Sequence, residues 1–306
     1  MTNTSEGVEV WRGGVNAWEG DEMGHMNVRF YLARALEGLQ GLAAALGLPE
    51  AFTPAATSTL SVREHHIRFH REARVGAPLF MTAGIVSLDE QEAVLLQTLR
   101  HSGGGELCAT FLTRAVHVTS HVGRPFAWSS RTRAAASSLM VEAPDLARPR
   151  GLSGEPREAT ASRLRAEAMG LPVIGRGVVQ PAECDVFGRL RADAVMGRCT
   201  ESAPHFHGAP HDAAGERVGR VLLEARLLYP RSAGIGAAFE LRSGAAELGP
   251  RVQSFVHWML DPKSGEALAA AMVLAASFDL DARRVRNLSA EELAKLTPWR
   301  FPGLGL

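Results

Sequence analysis

The sequence predicts an α+β protein made of two related copies of one unit, each an antiparallel sheet wrapped around a long central helix. Three observations predict it. Two long ungapped segments recur in the same order along the chain, each copy contains one segment with helical apolar spacing, and four strand-like runs follow that segment.

The repeat is read first, because a missed repeat misassigns the whole fold. Aligned from Arg12 and from Arg176, the first block matches Arg12, Gly13, Val15, Glu19, Asp21, Gly24, Arg34 and Glu37 with Arg176, Gly177, Val179, Glu183, Asp185, Gly188, Arg198 and Glu201. The second block starts at Glu64 and Glu224, and matches Arg71, Ala73, Gly76 and Ala77 with Arg231, Ala233, Gly236 and Ala237. The same register carries Arg124 and Ser129 onto Arg284 and Ser289. Between the blocks the offset falls from 176 − 12 = 164 to 224 − 64 = 160, a four-residue shortening in the second copy where an indel costs little.

Each copy opens on a short extended segment, Val8–Trp18 or Val178–Ala182, and then a Gly-containing turn at Asp21 or Asp185. The helix from Asn27 places Leu32, Ala35, Leu36, Leu39, Leu42 and Ala43 on one stripe and stops near Gly47-Leu48-Pro49. Its counterpart from Ala192 is shorter, because Pro204 interrupts it. Strand patterns follow at Thr57–His70, Pro78–Leu88, Glu92–His101 and Glu106–Val118, and again at Arg220–Tyr229, Ala238–Leu248, Arg251–Leu260 and Ala267–Leu280. The resulting division is 1–126, a linker with some helix at 127–171, 172–288, and a tail at 289–306 that opens on the capping box of Ser289 and Glu292.

Composition excludes more than it selects. The chain has 306 residues, with Lys plus Arg and Asp plus Glu at 33 each, so no basic balance points to nucleic acid. The longest apolar run, Ala267 to Ala276, is far below the roughly 20 residues of a bilayer span, and the first ten residues carry no secretory pattern. Cys108, Cys184 and Cys199 form no framework of pairs, which suits a reducing cytoplasm.

The chemistry concentrates in Asp21-Glu22-Met23-Gly24-His25-Met26-Asn27, followed by Tyr31 and Glu37. This segment resembles the signature of the hotdog-fold thioesterases, both the 4-hydroxybenzoyl-CoA thioesterase-like and the acyl-carrier-protein thioesterase-like families. Their pattern is an Asp, then Gly-His-x-Asn, then a helical Tyr. The resemblance implies a tandem double hotdog, in which the covalent pair replaces the usual dimer of single domains, and a thioester hydrolase with its site between two hotdog units. It implies an acyl-CoA or acyl-carrier-protein substrate, coenzyme A entering as part of that substrate and no separate cofactor.

The residues have a logic of their own. Thioester hydrolysis needs a base or nucleophile beside the carbonyl carbon and donors for the oxygen that becomes negative. A helix starting near Asn27 and Val28 offers unpaired amides and the positive end of its dipole, with Asp21 one turn upstream. Similarity to the family suggests Asp21 and His25 as catalytic, and Gly24, Asn27, Val28 and Tyr31 as substrate-binding. The structural alternative is that Asp21 and Gly24 only shape a turn, Asn27 only caps a helix, and Tyr31 only fills the core.

In the second copy Asp185 and Gly188 remain, but His25 meets Arg189, Asn27 meets Arg191 and Tyr31 meets Val195. Three readings stay open there: a degenerate half, an anion-binding site using Arg189 and Arg191, and a second working site at Asp185, Arg189 and Arg191. A hydratase on the same fold and a non-catalytic acyl-thioester binder are the competing functions. No metal site is expected, since His205, His207 and His211 sit in a Gly/Pro/Ala loop with no acidic or cysteine partners. Alternation along the first long strand puts His66 and His70 on one face and His65 on the other, in a solvated or partner-contacting strand. Whether two tandem chains form a homodimer is open; neither nucleic acid nor membrane is an expected partner.

Overall fold

A computed structural model of the chain describes residues 7–155, 158–207 and 218–306. The chain divides into two compact units, one of residues up to Pro149 together with Asp185–Phe187, the other of Arg150–Cys184 and Gly188–Leu306. No described helix is long and apolar enough to cross a membrane.

In the first unit β1 (Val8–Gly14) leads through a 3-10 turn at Ala17–Glu19 to α1 (Val28–Ala45), and then to β2 (Ser58–Phe69), β3 (Pro78–Leu88), β4 (Glu92–His101) and β5 (Leu107–Thr119). The strands form one antiparallel sheet in the order β1-β3-β4-β5-β2. Three of the four long strands are joined by tight turns, as their separating turn signals require.

Helix α1 packs on β1 and β3. Its buried stripe is Tyr31, Leu32, Arg34, Ala35, Gly38, Leu39, Leu42 and Ala43, rotated from the expected one so that Leu36 lies at its margin. The helix approaches β1 through glycine, since a Cβ at Gly41 would come within 2.3 Å of the Val10 carbonyl oxygen. At the C-terminus Gly47 adopts φ +80, and Leu48 N–H donates to the Ala43 carbonyl at 2.9 Å, closing the helix at the expected Gly-Leu-Pro.

A short helix α2 (Ser130–Ser137), capped by Ser129, precedes a strap in which Leu139 and Val141 exchange backbone hydrogen bonds with Ile85 on the open edge of β3. Farther along, Arg68 and His70 bond the carbonyls of Asp145 and Leu146. These contacts overturn the expectation of a solvated β2. His65 and His66 are both buried although the register runs unbroken from Glu64 to Phe69, so the strand is covered on both faces there.

The second unit repeats the plan. After α3 (Arg163–Ala168) come β6 (Val173–Val178), a 3-10 turn at Pro181–Glu183, α4 (Ala192–Ser202) and α5 (Pro204–His207). Then follow β7 (Val218–Leu228), β8 (Ala238–Leu248), β9 (Val252–Leu260), β10 (Ala267–Asp279), β11 (Arg284–Val285) and α6 (Ala290–Leu296). Its sheet runs β6-β8-β9-β10-β7, with β11 on β10. Two expectations change. The opening strand lies earlier than Val178–Ala182, because Pro181 sits in a 3-10 turn and lacks the amide a strand would use. The helix is 11 residues against 18 in α1, so the expectation of a long helix in each copy is not met in the second.

The repeat also runs into segments expected as linker and tail. Helix α6 is capped by Ser289 as α2 is by Ser129, and Phe301 N–H bonds the Ala245 carbonyl as Val141 N–H bonds that of Ile85.

Candidate active site

The loop before α1 is held by backbone pairing and by one carboxylate. Asp21 N–H donates to the His25 carbonyl at 2.7 Å and Gly24 N–H to the Asp21 carbonyl at 3.0 Å, with Gly24 at φ +76. Asp21 Oδ1 accepts the amides of Met23 at 2.9 Å and His25 at 3.0 Å; among the described residues Oδ2 accepts none. Asp21 therefore shapes the turn with one oxygen and presents the other.

At the start of α1, Asn27 caps the helix: its Oδ1 accepts Arg29 N–H at 3.0 Å, and its carbonyl accepts Phe30 N–H at 2.8 Å. Val28 N–H is left without a hydrogen-bond partner among the described residues. The expected pool of free amides thus narrows, since Asn27 itself consumes one, and Val28 offers the remaining donor.

The loop is stitched to the β2–β3 connection. Met26 N–H donates to the Ala73 carbonyl at 2.7 Å, and His25 bridges Arg74. Ala73 N–H donates to the Tyr31 hydroxyl at 3.2 Å. This register brings the buried His25 Nε2 within 3.2 Å of Glu72 Oε2. Tyr31 packs edge-on to Phe69, and burial pushes its hydroxyl well above the ordinary tyrosine range, with Cys108, Glu72 and Asp21 adding to the same shift. Asp21, His25, Tyr31 and Glu72 therefore form one cluster. Glu72 escaped the sequence reading; the available signal was its replacement by Ser232 in the second copy beside the retained Ala73/Ala233. Cys108 is no nucleophile, because burial pushes its thiol up to about 12.

Glu37 lies elsewhere. Its carboxylate pairs with Arg34 at 2.5 Å, and Arg34 also pairs with Glu19, which accepts Asn16 N–H at 2.8 Å and whose carbonyl accepts Asn27 N–H at 2.8 Å. The second unit repeats this ion triad: Arg198 bonds Glu183 at 2.7 Å and Glu201 at 3.3 Å, and Glu183 accepts Gln180 N–H at 2.8 Å. The repeated Glu, Arg and Glu are thus the clamp that ties loop to helix.

The second copy keeps the clamp and turn but changes the cluster. Asp185 Oδ1 accepts Phe187 N–H at 2.9 Å, Gly188 has φ +75, and Leu190 N–H bonds the Ala233 carbonyl at 2.8 Å. Arg191 occupies the cap position without capping; its guanidinium bonds buried Asp193 at 2.8 and 3.1 Å and the carbonyl of Cys184 at 3.2 Å. Arg189 bridges Gly234 through the backbone. His25, Tyr31 and Glu72 thus meet Arg189, Val195 and Ser232.

Of the three histidines weighed for metal, His205 Nδ1 lies 2.9 Å from the Ile174 carbonyl, and His211 lies outside the described residues. Among the described residues no group of three metal-ligating side chains occurs.

Comparison with known proteins bears on this geometry. Residues 15–136 match the thioesterase-like superfamily. Over 110 residues the chain is 30% identical to an L-carnitine dehydrogenase/betainyl-CoA thioesterase of Rhizobium meliloti (strain 1021), covering 36% of this chain but only 22% of that relative. The fold is shared with a protein named as an oleoyl thioesterase from Lactobacillus plantarum, at TM-score 0.68 and 13% identity over 94% of this chain and 100% of that one. An acyl-ACP thioesterase from Bacteroides thetaiotaomicron gives 0.64 at 9% identity over 90% and 100%, and a 12:0-ACP thioesterase from Umbellularia californica gives 0.63 at 11% over 87% and 93%. Residues 15–136 are therefore similar to the thioesterase-like superfamily, and the chain shares its fold with solved structures named as thioesterases.

Proposed function

We propose that the protein is an acyl-thioester hydrolase whose working site is in the first copy, with an acyl-CoA as substrate and an acyl-carrier protein as the less favoured donor. The observation that carries this reading is the clustering of Asp21, His25, Glu72 and Tyr31 beside an unpartnered Val28 amide, in a copy whose duplicate has exchanged three of the four. The superfamily match over residues 15–136 and the thioesterase named among the relatives support it.

In this reading Asp21 acts as base or nucleophile. As base, it takes a proton from the attacking water through its open oxygen. The carbonyl oxygen gathers negative charge against the Val28 amide and the positive end of α1. The C–S bond then breaks, and the departing sulfur receives that proton to leave as thiol. His25, held by Glu72, orients groups at the carbonyl, while Gly24 lets the backbone come close. The hotdog domains of this reading are residues 1–126 and 172–288, closed by α2 and α6. Three free cysteines suit the reducing cytoplasm where acyl-CoA is made and used.

A thiol-release assay over an acyl-CoA panel tests the proposal. The expected result is turnover of at least one acyl-CoA by the unmodified chain and loss of about 10³-fold or more with Asp21→Asn. Absence of thiol release across CoA and carrier-protein thioesters would overturn it, and water addition to an enoyl-CoA without thiol release would assign a hydratase instead.

A further inference from the structure

The two copies differ at one place away from the Asp21 cluster, and the difference is polar. In the first unit Leu60, Ala93, Leu95 and Ala115 belong to a single buried apolar core beneath α1. At the same offset of 160 the second unit has Arg220, Gln253, Phe255 and Ala275. Strand registers agree: Leu60 faces His117 as Arg220 faces Ser277, and Gln253 faces Ala275.

The new polar groups are not satisfied by one another. Arg220 lies over the Phe255 ring, 5.1 Å from its centroid, and makes no hydrogen bond or ion pair among the described residues. The carboxylate that acts on it, Glu292, is already bonded to Arg286 at 2.9 Å and to Ser289 N–H at 2.7 Å. Burial pushes the Arg220 guanidinium down to about 10, while the residue as a whole stays partly exposed. Gln253 is fully buried; its Nε2 donates to the Gly249 carbonyl at 2.9 Å, and its Oε1 has no partner. A guanidinium with no hydrogen-bond acceptor among the described residues and an orphaned buried acceptor each cost free energy unless a ligand completes them.

We propose that Arg220 and Gln253 form a binding site in the second unit for a small carboxylate bearing a hydroxyl near its carboxyl group. The guanidinium fork matches a carboxylate, Gln253 Oε1 accepts from the hydroxyl, and Phe255 and Ala275 supply the apolar contact for a short hydrocarbon. These residues belong to the second unit, and the proposal does not depend on the activity assigned to the Asp21 cluster.

Thermal melting of the full chain with butyrate, 2-hydroxybutyrate, 3-hydroxybutyrate or inorganic phosphate tests it. A hydroxybutyrate at a hundredfold excess over its dissociation constant is expected to raise the melting temperature by about 5 °C, and butyrate by less. Arg220→Leu, which restores the residue of the first copy, should abolish the shift without lowering the melting temperature of the probe-free chain. Gln253→Ala should erase the preference for the hydroxylated acid. The proposal is overturned if no carboxylate shifts the transition, if phosphate protects equally, or if Arg220→Leu leaves the shift intact. It is equally overturned if Arg220→Leu alone lowers the melting temperature, because the guanidinium then serves the fold.

Discussion

Changing Glu19 to Gln removes one charge from a pair that is nearly dry on both sides, with 4% exposure for Glu19 and 9% for Arg34. The guanidinium left behind keeps Glu37, but that carboxylate is 42% exposed and screened by water. Breaking a buried pair by removing one partner costs about 3–5 kcal/mol, and the surviving Glu37 contact places this case near the low end, about 3 kcal/mol. The duplicate supplies its own control. Glu183 and Arg198 make the same pair at 13% and 29% exposure, where the loss is about 1 kcal/mol or less. For units of about 150 residues, 1 kcal/mol shifts the melting temperature by about 2–4 °C. Glu19→Gln should therefore lower the transition of its unit by about 9 °C, and Glu183→Gln by about 3 °C. Calorimetry of the two full-length variants against the parent decides it. Equal shifts, or a larger one for Glu183→Gln, would refute the argument that burial sets the strength of the repeated clamp.

Three further outcomes follow from the same geometry. Gly24→Ala meets no atom within 4 Å, so its cost is that of holding φ +76 alone, about 1–2 kcal/mol, read as a melting decrease of about 3–5 °C. Glu72→Gln should lower kcat for thiol release by about 10²-fold with little change in KM, since Glu72 is read as acting through His25; a pure KM effect would contradict that role. Burial holds His257 down to about 4 against an ordinary 6.5, so the unfolded chain binds the extra proton between those values. Its contribution is fully present above about pH 6.5 and is lost as the pH falls toward 4, by up to about 3 kcal/mol. His257→Gln should flatten the pH dependence of stability across that window in urea titrations, and an unchanged slope would refute it.

Local patterns were legible where one signal controls the outcome. Strands β3, β4 and β8 begin and end where the turn residues beside them say they should, because Gly and Asp turns leave the chain few alternatives. The Gly-Leu-Pro stop of α1 is legible for the same reason. Properties set by packing were not. The buried stripe of α1 leaves Leu36 at its margin, and the close approach of Gly41 to Val10 is a packing feature that no periodicity encodes. His65 and His66 are buried because both faces of the strand are covered there, which their own polarity does not reveal. At the candidate site, Asp21, Gly24, His25 and Asn27 were visible as a contiguous motif. Glu72 was not, since it enters across the β2–β3 connection, 47 positions along the chain from His25. The repeat identities had two meanings that sequence could not separate: Glu19, Arg34 and Glu37 form a clamp common to both units, while Asp21 sits in a cluster whose other members diverge.

The central claim is that one copy works and the other supports the architecture. Its most direct test is kcat/KM for thiol release from the best acyl-CoA, measured for Asp21→Asn and Asp185→Asn under identical conditions. Asn keeps an oxygen to accept the turn amides in either loop, so both variants should melt close to the parent. The account predicts a loss of about 10³-fold or more for Asp21→Asn and less than about threefold for Asp185→Asn. Equal losses, or a loss confined to Asp185→Asn, would contradict it.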